Sequence, residues 1–233
     1  MHLDYPFMFK TFLLSLGGIP VTLGISLAVL VFAVPMGFLL AIAMVNRVPA
    51  VTQISRVYIS FIRATPPILQ IFIIYTSLPS LLARIFTRFD GSFDVFSLNP
   101  VIYPIIVFSL SETAVLAEVF RAALSTVDRS QLEAALAVGM TRAQGYTRIV
   151  IPQALSAAVP VFCSSVTGLV KLTSLSFTMS VMEVTGIAKV QAGVGLAWIE
   201  AYLAMAMIYF MVIFAIEKLL KLFEKHLRVY AAE

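Results

Sequence analysis

The sequence predicts an all-α membrane protein: five transmembrane helices, an N-terminal interfacial helix and a short helix in the loop between the third and fourth spans. Three observations predict it. The 233 residues are 61% hydrophobic and only 12% charged, where an ordinary soluble domain is about 25% charged and 45–50% apolar. Mean hydropathy is +1.00. No Asp, Glu, Lys, Arg or His falls in residues 11–46, 64–83, 95–111, 149–170 or 201–216. A water-soluble globule of this length lacks the interior to hide that much apolar surface. The composition also argues against a disordered chain, a nucleic-acid binder and a disulfide scaffold. The single cysteine, Cys163, allows no intrachain disulfide and reads as a packing residue.

A helix crossing the hydrocarbon core needs about 20 apolar residues at ~1.5 Å each, so five charge-free runs give five spans. The first run is 36 residues long and is interrupted by Gly17, Gly18 and Pro20. It divides into an interfacial helix at 5–16 and a first span at 20–45. The alternative, a cleaved signal peptide, lacks both a basic cluster ahead of the apolar stretch and a small-residue cleavage site after it. The second span is read at 57–82, broken at Pro66-Pro67, and a loop at 83–99 carries Asp90-Gly91 as a turn signal. The third span follows at 100–120. The loop at 121–153 is too long and too patterned to be a mere connector. The fourth span is read at 155–176. Residues 177–198 are half hydrophobic and suit a short helix plus a re-entrant stretch. Trp198 suits an interfacial anchor at the head of the fifth span, 199–222. No repeat, linker or low-complexity tract interrupts the chain, so 1–233 reads as one domain.

Basic residues set the orientation. Arg47, Arg56 and Arg63 follow span one, Arg121, Arg129, Arg142 and Arg148 follow span three, and Lys218, Lys221, Lys225 and Arg228 follow span five. These are 11 of the 16 basic residues. Placing them all on the cytoplasmic side puts the N-terminus outside and the C-terminus inside. The net charge of +4 is then a topological bias and needs no nucleic acid to explain it.

No G-x-x-x-x-G-K-[ST] phosphate-binding loop occurs, and His2 and His226 lie near the termini, away from any carboxylate cluster. The chain therefore reads as a non-enzymatic subunit without a metal site, a catalytic triad or a cofactor of its own.

The loop at 121–153 is the most informative segment. Gln131 to Val138 consists of helix formers with small alanines on one face, and Gly139 stops that helix with a left-handed cap. A second helical stretch, 141–150, starts at Thr141, and Pro152 ends the loop. A short amphipathic helix held out on two arms suits docking into a partner's groove.

The spacing E-A-A-x3-G-x9-I-x-I-P, carried by Glu133, Ala134, Ala135, Gly139, Ile149, Ile151 and Pro152, resembles the EAA loop of permease subunits of ATP-binding-cassette (ABC) importers. Ile151 stands where that family usually has Leu. The resemblance covers most of the chain and narrows to permeases for polar amino acids. Their R-G-T-P-L-L pattern is echoed by Arg63-Ala64-Thr65-Pro66-Pro67-Ile68 and their A-Y-x-x-E-x-x-R-G by the stretch from Ala114 through Glu118 and Arg121 to Ala122. Their L-K-D-T-S-L is echoed by Val170-Lys171-Leu172-Thr173-Ser174-Leu175. Ala64, Val115, Ala122 and Leu172 depart from the patterns.

The resemblance implies a type I ABC importer permease fold in the bacterial cytoplasmic (inner) membrane. It implies a second permease subunit, as homodimer or heterodimer, two ABC ATPase subunits carrying ATP and Mg, and an extracytoplasmic solute-binding protein. Glu133, Ala134, Ala135, Gly139, Ile149 and Pro152 become the ATPase-coupling residues. Arg63, Thr65, Pro66, Glu112, Lys171, Thr173 and Ser174 become the substrate-contact candidates. The substrate is then a polar amino acid, with cystine or a related sulfur amino acid ranked first on the run Ser174 to Val181 followed by Glu183. The alternative is an ion-coupled secondary transporter acting without an ATPase, which would show inverted repeats and more spans.

Physical chemistry singles out several of the same residues. Pro66-Pro67 breaks a hydrogen-bond ladder, which a membrane tolerates where the backbone lines a cavity or packs inside a bundle. Glu112, mid-span, is either a functional carboxylate or a hydrogen-bond partner of a neighbouring helix. Glu118 and Arg121, three apart, read as an ion pair. Lys171 either snorkels to an interface or meets a substrate carboxylate beside Thr173, Ser174, Ser176 and Thr178.

Overall fold

The computed structural model describes residues 3–88 and 97–231. The expected Asp90-Gly91 turn, and His2, lie outside the described residues. Among the described residues, five helices are long and apolar enough to cross a membrane: Ile19–Val45, Pro67–Ile85, Ile102–Ser125, Arg142–Met179 and Trp198–Leu222. The regular structure of the described residues is helical, with no strand among them.

Helix α1, Tyr5–Leu16, forms at the expected interfacial segment, with the Asp4 carboxylate accepting from the Phe7 amide across 2.9 Å. Its polar Thr11 and Ser15 are buried while Tyr5, Phe9 and Leu13 are exposed. That polarity is the reverse of a soluble surface helix and suits a surface wetted by lipid. The same inversion recurs in α2, Ile19–Val45, which exposes Leu27, Val31, Phe32 and Leu39 while burying Thr22 and Ser26.

The second span departs from expectation. Residues 51–64 do not belong to it: they form a separate helix, α3 (Val51–Ala64), and the span begins as α4 (Pro67–Arg88). The cause is local. Pro66 and Pro67 offer no N–H, and a residue preceding proline is driven out of the helical region. Pro67 sits at the first helical position, where a missing N–H costs nothing. Two further residues with positive φ, Arg47 (52°) and Ala50 (58°), make the turn from α2 into α3.

Helix α5, Ile102–Ser125, contains the third span and runs five residues beyond the expected end at 120. Helix α6, Arg129–Ala137, and α7, Arg142–Gly145, form the following loop. The fourth span departs again. Pro152 does not separate loop from span, because α7 continues through a π-helical turn, Tyr146–Val150, directly into α8, Ile151–Leu172. Pro152 cannot donate to the carbonyl of Arg148. The wider turn, in which the Ile151 amide reaches back to the Tyr146 carbonyl, absorbs that loss without ending the helix.

A 3₁₀ helix, Thr173–Met179, follows α8. The expected short helix between the last two spans is α9, Val184–Gly195, and α10, Trp198–Ala231, holds the fifth span at Trp198–Leu222 as expected and continues as helix beyond it.

The described residues group into two compact units, each drawn from three stretches of sequence: those within 1–30, 65–111 and 169–214 in the first, and those within 31–64, 112–168 and 215–233 in the second. The first buries Ile25, Val29, Ile71, Phe108, Leu169 and Ile208, and packs α1 along α9. The second has two alanine-rich cores, one of Met44, Ile59, Ala114 and Ala117, the other of Ala41, Ala123, Leu124, Val150, Ala154 and Ala158. Small side chains let helix backbones approach closely, which is how helices associate where lipid removes the hydrophobic drive.

Candidate functional site

The loop between spans three and four is built from local signals. Asp128 caps α6 by accepting from the Ser130 amide across 2.8 Å, and that hydrogen bond holds its carboxyl below the usual carboxylate range. At the other end Gly139 adopts φ +87°. Its amide reaches the Leu136 carbonyl at 3.0 Å and the Met140 amide reaches that of Ala135 at 3.1 Å, the paired bonds of a Schellman cap. Two residues on, Thr141 and Gln144 form a reciprocal capping box, with bonds of 3.3 and 2.8 Å.

Packing then closes this helical hairpin on itself. Ala135 is 3% exposed and Gly145 is buried. A Cβ on Gly145 would stand 2.7 Å from Leu132 Cδ1 and 3.6 Å from the Ala135 Cβ. Ala135 is therefore small because it packs inward on the second arm, while Glu133 and Ala134 stay exposed on the outer edge of α6. Tyr146 ties the hairpin to the end of α2 by donating to Asn46 Oδ1 across 3.1 Å. Ile149 is half-buried within the π turn and Pro152 is exposed. Gly145 was not singled out from sequence. Its signal was a glycine inside an otherwise helical stretch.

The polar groups within the spans fall into two sets. In the first unit, the break at Thr65-Pro66 is held by Gln70, which donates to the Thr65 carbonyl (2.9 Å) and accepts from Ser111 (2.6 Å). Pro66 is exposed and Thr65 half-buried. Lys171 is exposed, Ser174 half-buried and Thr173 fully buried, its hydroxyl donating to the Val170 carbonyl at 2.7 Å. In the second unit, Glu112 is 6% exposed and accepts from the Ser165 hydroxyl of α8. Arg63 is exposed at the end of α3, and Glu118 and Arg121 form the expected ion pair at 2.6 Å.

The sequence assigned no structural role to Glu183, which figured only at the end of the run that ranks the substrate. Glu183 is fully buried and caps α9 through the Gly186 amide at 3.0 Å. It also accepts from Tyr209 of α10 at 2.7 Å and from Thr22 of α2 at 3.4 Å. Burial pushes its carboxyl above the usual range, against the pull of those hydrogen bonds. Its only local sign was a Glu ahead of the Val-Thr-Gly that opens a helix.

Five apolar spans, buried polar groups at a proline-broken segment and a rigid helical hairpin between spans define a polytopic membrane transport protein. The chain belongs to the binding-protein-dependent transport system inner membrane component family, whose model matches residues 33–229. It is 39% identical over 223 residues to a probable amino-acid permease protein, YxeN, of Bacillus subtilis (strain 168), covering 96% of this chain and 95% of that one. It is 33% identical over 210 residues to the L-cystine transport system permease protein TcyL of the same organism, covering 90% and 85%. Among solved structures it superposes on the crystal structure of an amino acid ABC transporter with histidines, with a TM-score of 0.80 at 26% identity, covering 97% of this chain and all of that one. The protein is thus an inner-membrane component of a binding-protein-dependent transport system, and a multi-pass protein.

Proposed function

We propose that this subunit forms part of the path for a polar amino acid, with cystine or a related sulfur amino acid ranked first, and that it is driven by ATP hydrolysed on partner chains. The observation that carries the coupling half of this reading is α6. It is a helix capped at both ends and braced by Ala135 on Gly145, and it leaves the Glu133–Ala134 edge free. A short rigid element with a small-residue edge transmits a displacement that a flexible loop would absorb. In this reading two ATPase subunits, which hold ATP and Mg, dock on the Glu133–Ala134 edge, and Ala135, buried against the second arm, couples by bracing that edge. Gly139, Ile149 and Pro152 then shape the arms that carry the movement into α8.

The basic residues after spans one, three and five support an N-terminus outside and a C-terminus inside. An external solute-binding protein would deliver substrate to the opposite face, and a second permease, identical or related, would complete the path. Family membership favours this over an ion-coupled transporter working alone.

A zwitterion crossing the membrane needs a partner for each charge, because an unpaired charge in a low-dielectric path costs several kcal/mol. We assign the amine to Glu112 and the carboxylate to Arg63, Lys171 and Ser174. Thr65 and Pro66 present the broken backbone. Thr173 spends its proton on Val170 and so offers lone pairs only. The likeness to TcyL supports the sulfur amino acid ranking. The test is a binding titration of the purified complex, or of its solute-binding protein, against the twenty amino acids and cystine. Saturable binding of cystine ahead of glutamine, glutamate and basic amino acids is the expected result. Tighter binding of any of these, or none at all, overturns the ranking.

A further inference from the structure

We propose that the second unit carries a binding site for the phosphate headgroup of an acidic phospholipid, set between α2, α3 and the end of α5. A cavity of about 420 Å³ is lined there by Arg47, Arg56, Arg121 and Arg129 with a single carboxylate, Glu118. A second hollow adjoins it, sharing Arg56 and Glu118 and adding Arg63. The carboxylate is already engaged: Arg121 donates to Glu118 through both Nε (3.1 Å) and a terminal nitrogen (2.6 Å). Among the described residues no carboxylate lies in salt-bridge range of the other four arginines.

Arginines gathered around a hollow without matching acids repel one another, and their planar forks suit phosphate oxygens. The arrangement is also held at some cost, since Arg47 sits at φ 52°, in the left-handed region that a non-glycine residue rarely adopts.

Helix α3 decides between a free anion and a lipid. Arg56 and Arg63 share it with Ile54, Val57 and Phe61, whose side chains are 69%, 67% and 63% exposed. Cationic hollow and apolar stripe on one helix match a molecule with an anionic head and hydrocarbon tails. The arginines follow spans one and three, so topology puts them at one end of the bundle. On the orientation proposed above, that end faces the cytoplasmic leaflet.

The test is native mass spectrometry of the purified full-length protein titrated with phosphatidylglycerol or phosphatidylcholine of equal chain length. Wild type should retain phosphatidylglycerol in preference. The double substitution Arg56→Gln with Arg129→Gln should lower that retention by about thirtyfold, each arginine near an acidic headgroup being worth about fivefold. Arg56→Lys with Arg129→Lys, which preserves the charge but not the planar fork, should retain more phosphatidylglycerol than the double Gln variant, and Lys221→Gln, outside the cavity, should keep all of it. Equal retention of the two lipids overturns the proposal. So does an unchanged preference in a double Gln variant whose melting temperature matches wild type. Displacement of the lipid by inorganic phosphate at millimolar concentration overturns it in favour of a free-anion site. None of these outcomes depends on which amino acid is transported.

Discussion

The Tyr209 hydroxyl lies 2.7 Å from a carboxylate oxygen of Glu183, joining α10 to the N-terminus of α9 through a residue with no exposed surface. Glu183 thereby ends up with a backbone amide, a phenol and a threonine hydroxyl around it. Tyr209→Phe should lower thermal stability in detergent by about 1–3 kcal/mol, the cost of withdrawing a partner from a buried polar group. Thr22→Val should cost much less, because its contact is stretched to 3.4 Å. Comparable melting shifts for the two variants would contradict this ranking.

The contact of Gly145 with Leu132 predicts a rescue. Gly145→Ala places a methyl 2.7 Å from Leu132 Cδ1; the end of that flexible side chain can turn aside, so the cost falls at or below the low end of the about 1–3 kcal/mol of core overpacking. Hydrogen exchange across α6 should accelerate in Gly145→Ala and slow again when Leu132→Ala is added. Two effects that simply add would mean that the hairpin is not closed by this contact.

Gly139 separates backbone strain from steric contact. A Cβ there would meet nothing within 4 Å, yet φ is +87°. An L-residue in the left-handed region costs roughly 1–2 kcal/mol, least for Asn and most for β-branched residues. Gly139→Val and Glu133→Lys should abolish substrate-stimulated ATP hydrolysis in proteoliposomes while leaving membrane insertion intact, and Gly139→Asn should retain most of it. Normal coupling in Gly139→Val and Glu133→Lys would remove the docking role from α6.

Glu112 and Ser165 distinguish a substrate contact from helix–helix adhesion. Glu112→Gln should weaken amino-acid uptake far more than basal ATP hydrolysis. Ser165→Ala, which withdraws the hydroxyl from a buried carboxylate, should lower melting temperature by an amount worth about 1–3 kcal/mol. Unchanged uptake kinetics in Glu112→Gln, with a lowered melting temperature in both variants, would make the pair structural.

Oligomeric composition is open to a direct measurement. An active complex purified with this permease and an ATPase chain as its only membrane-associated components is the outcome expected of a homodimer. Activity that appears only when a sister permease is added would identify a heterodimer, in which a partner supplies the acid replaced at Leu172.

The amino-acid sequence by itself determined the five spans, the interfacial helix, the break at Pro66-Pro67 and the stop at Gly139. Each is written in covalent properties of one short segment: the transfer energy of a run of side chains, a missing N–H, or a backbone free to take positive φ. It misplaced the start of span two and the join at Pro152 because a proline reads alike whether it opens a helix, breaks one or is absorbed by a π turn. Which of these occurs depends on what packs around it. Tertiary structure alone decided that Glu183 meets Tyr209 and Thr22, that Gly145 seats Ala135 and Leu132, and that Arg47, Arg56, Arg121 and Arg129 share one hollow. Apart from the Gly145 contact, which joins successive helices, these partners come from helices far apart along the chain, and no local pattern encodes which helices lie side by side. That choice is made by the packing of small and apolar faces summed over each compact unit.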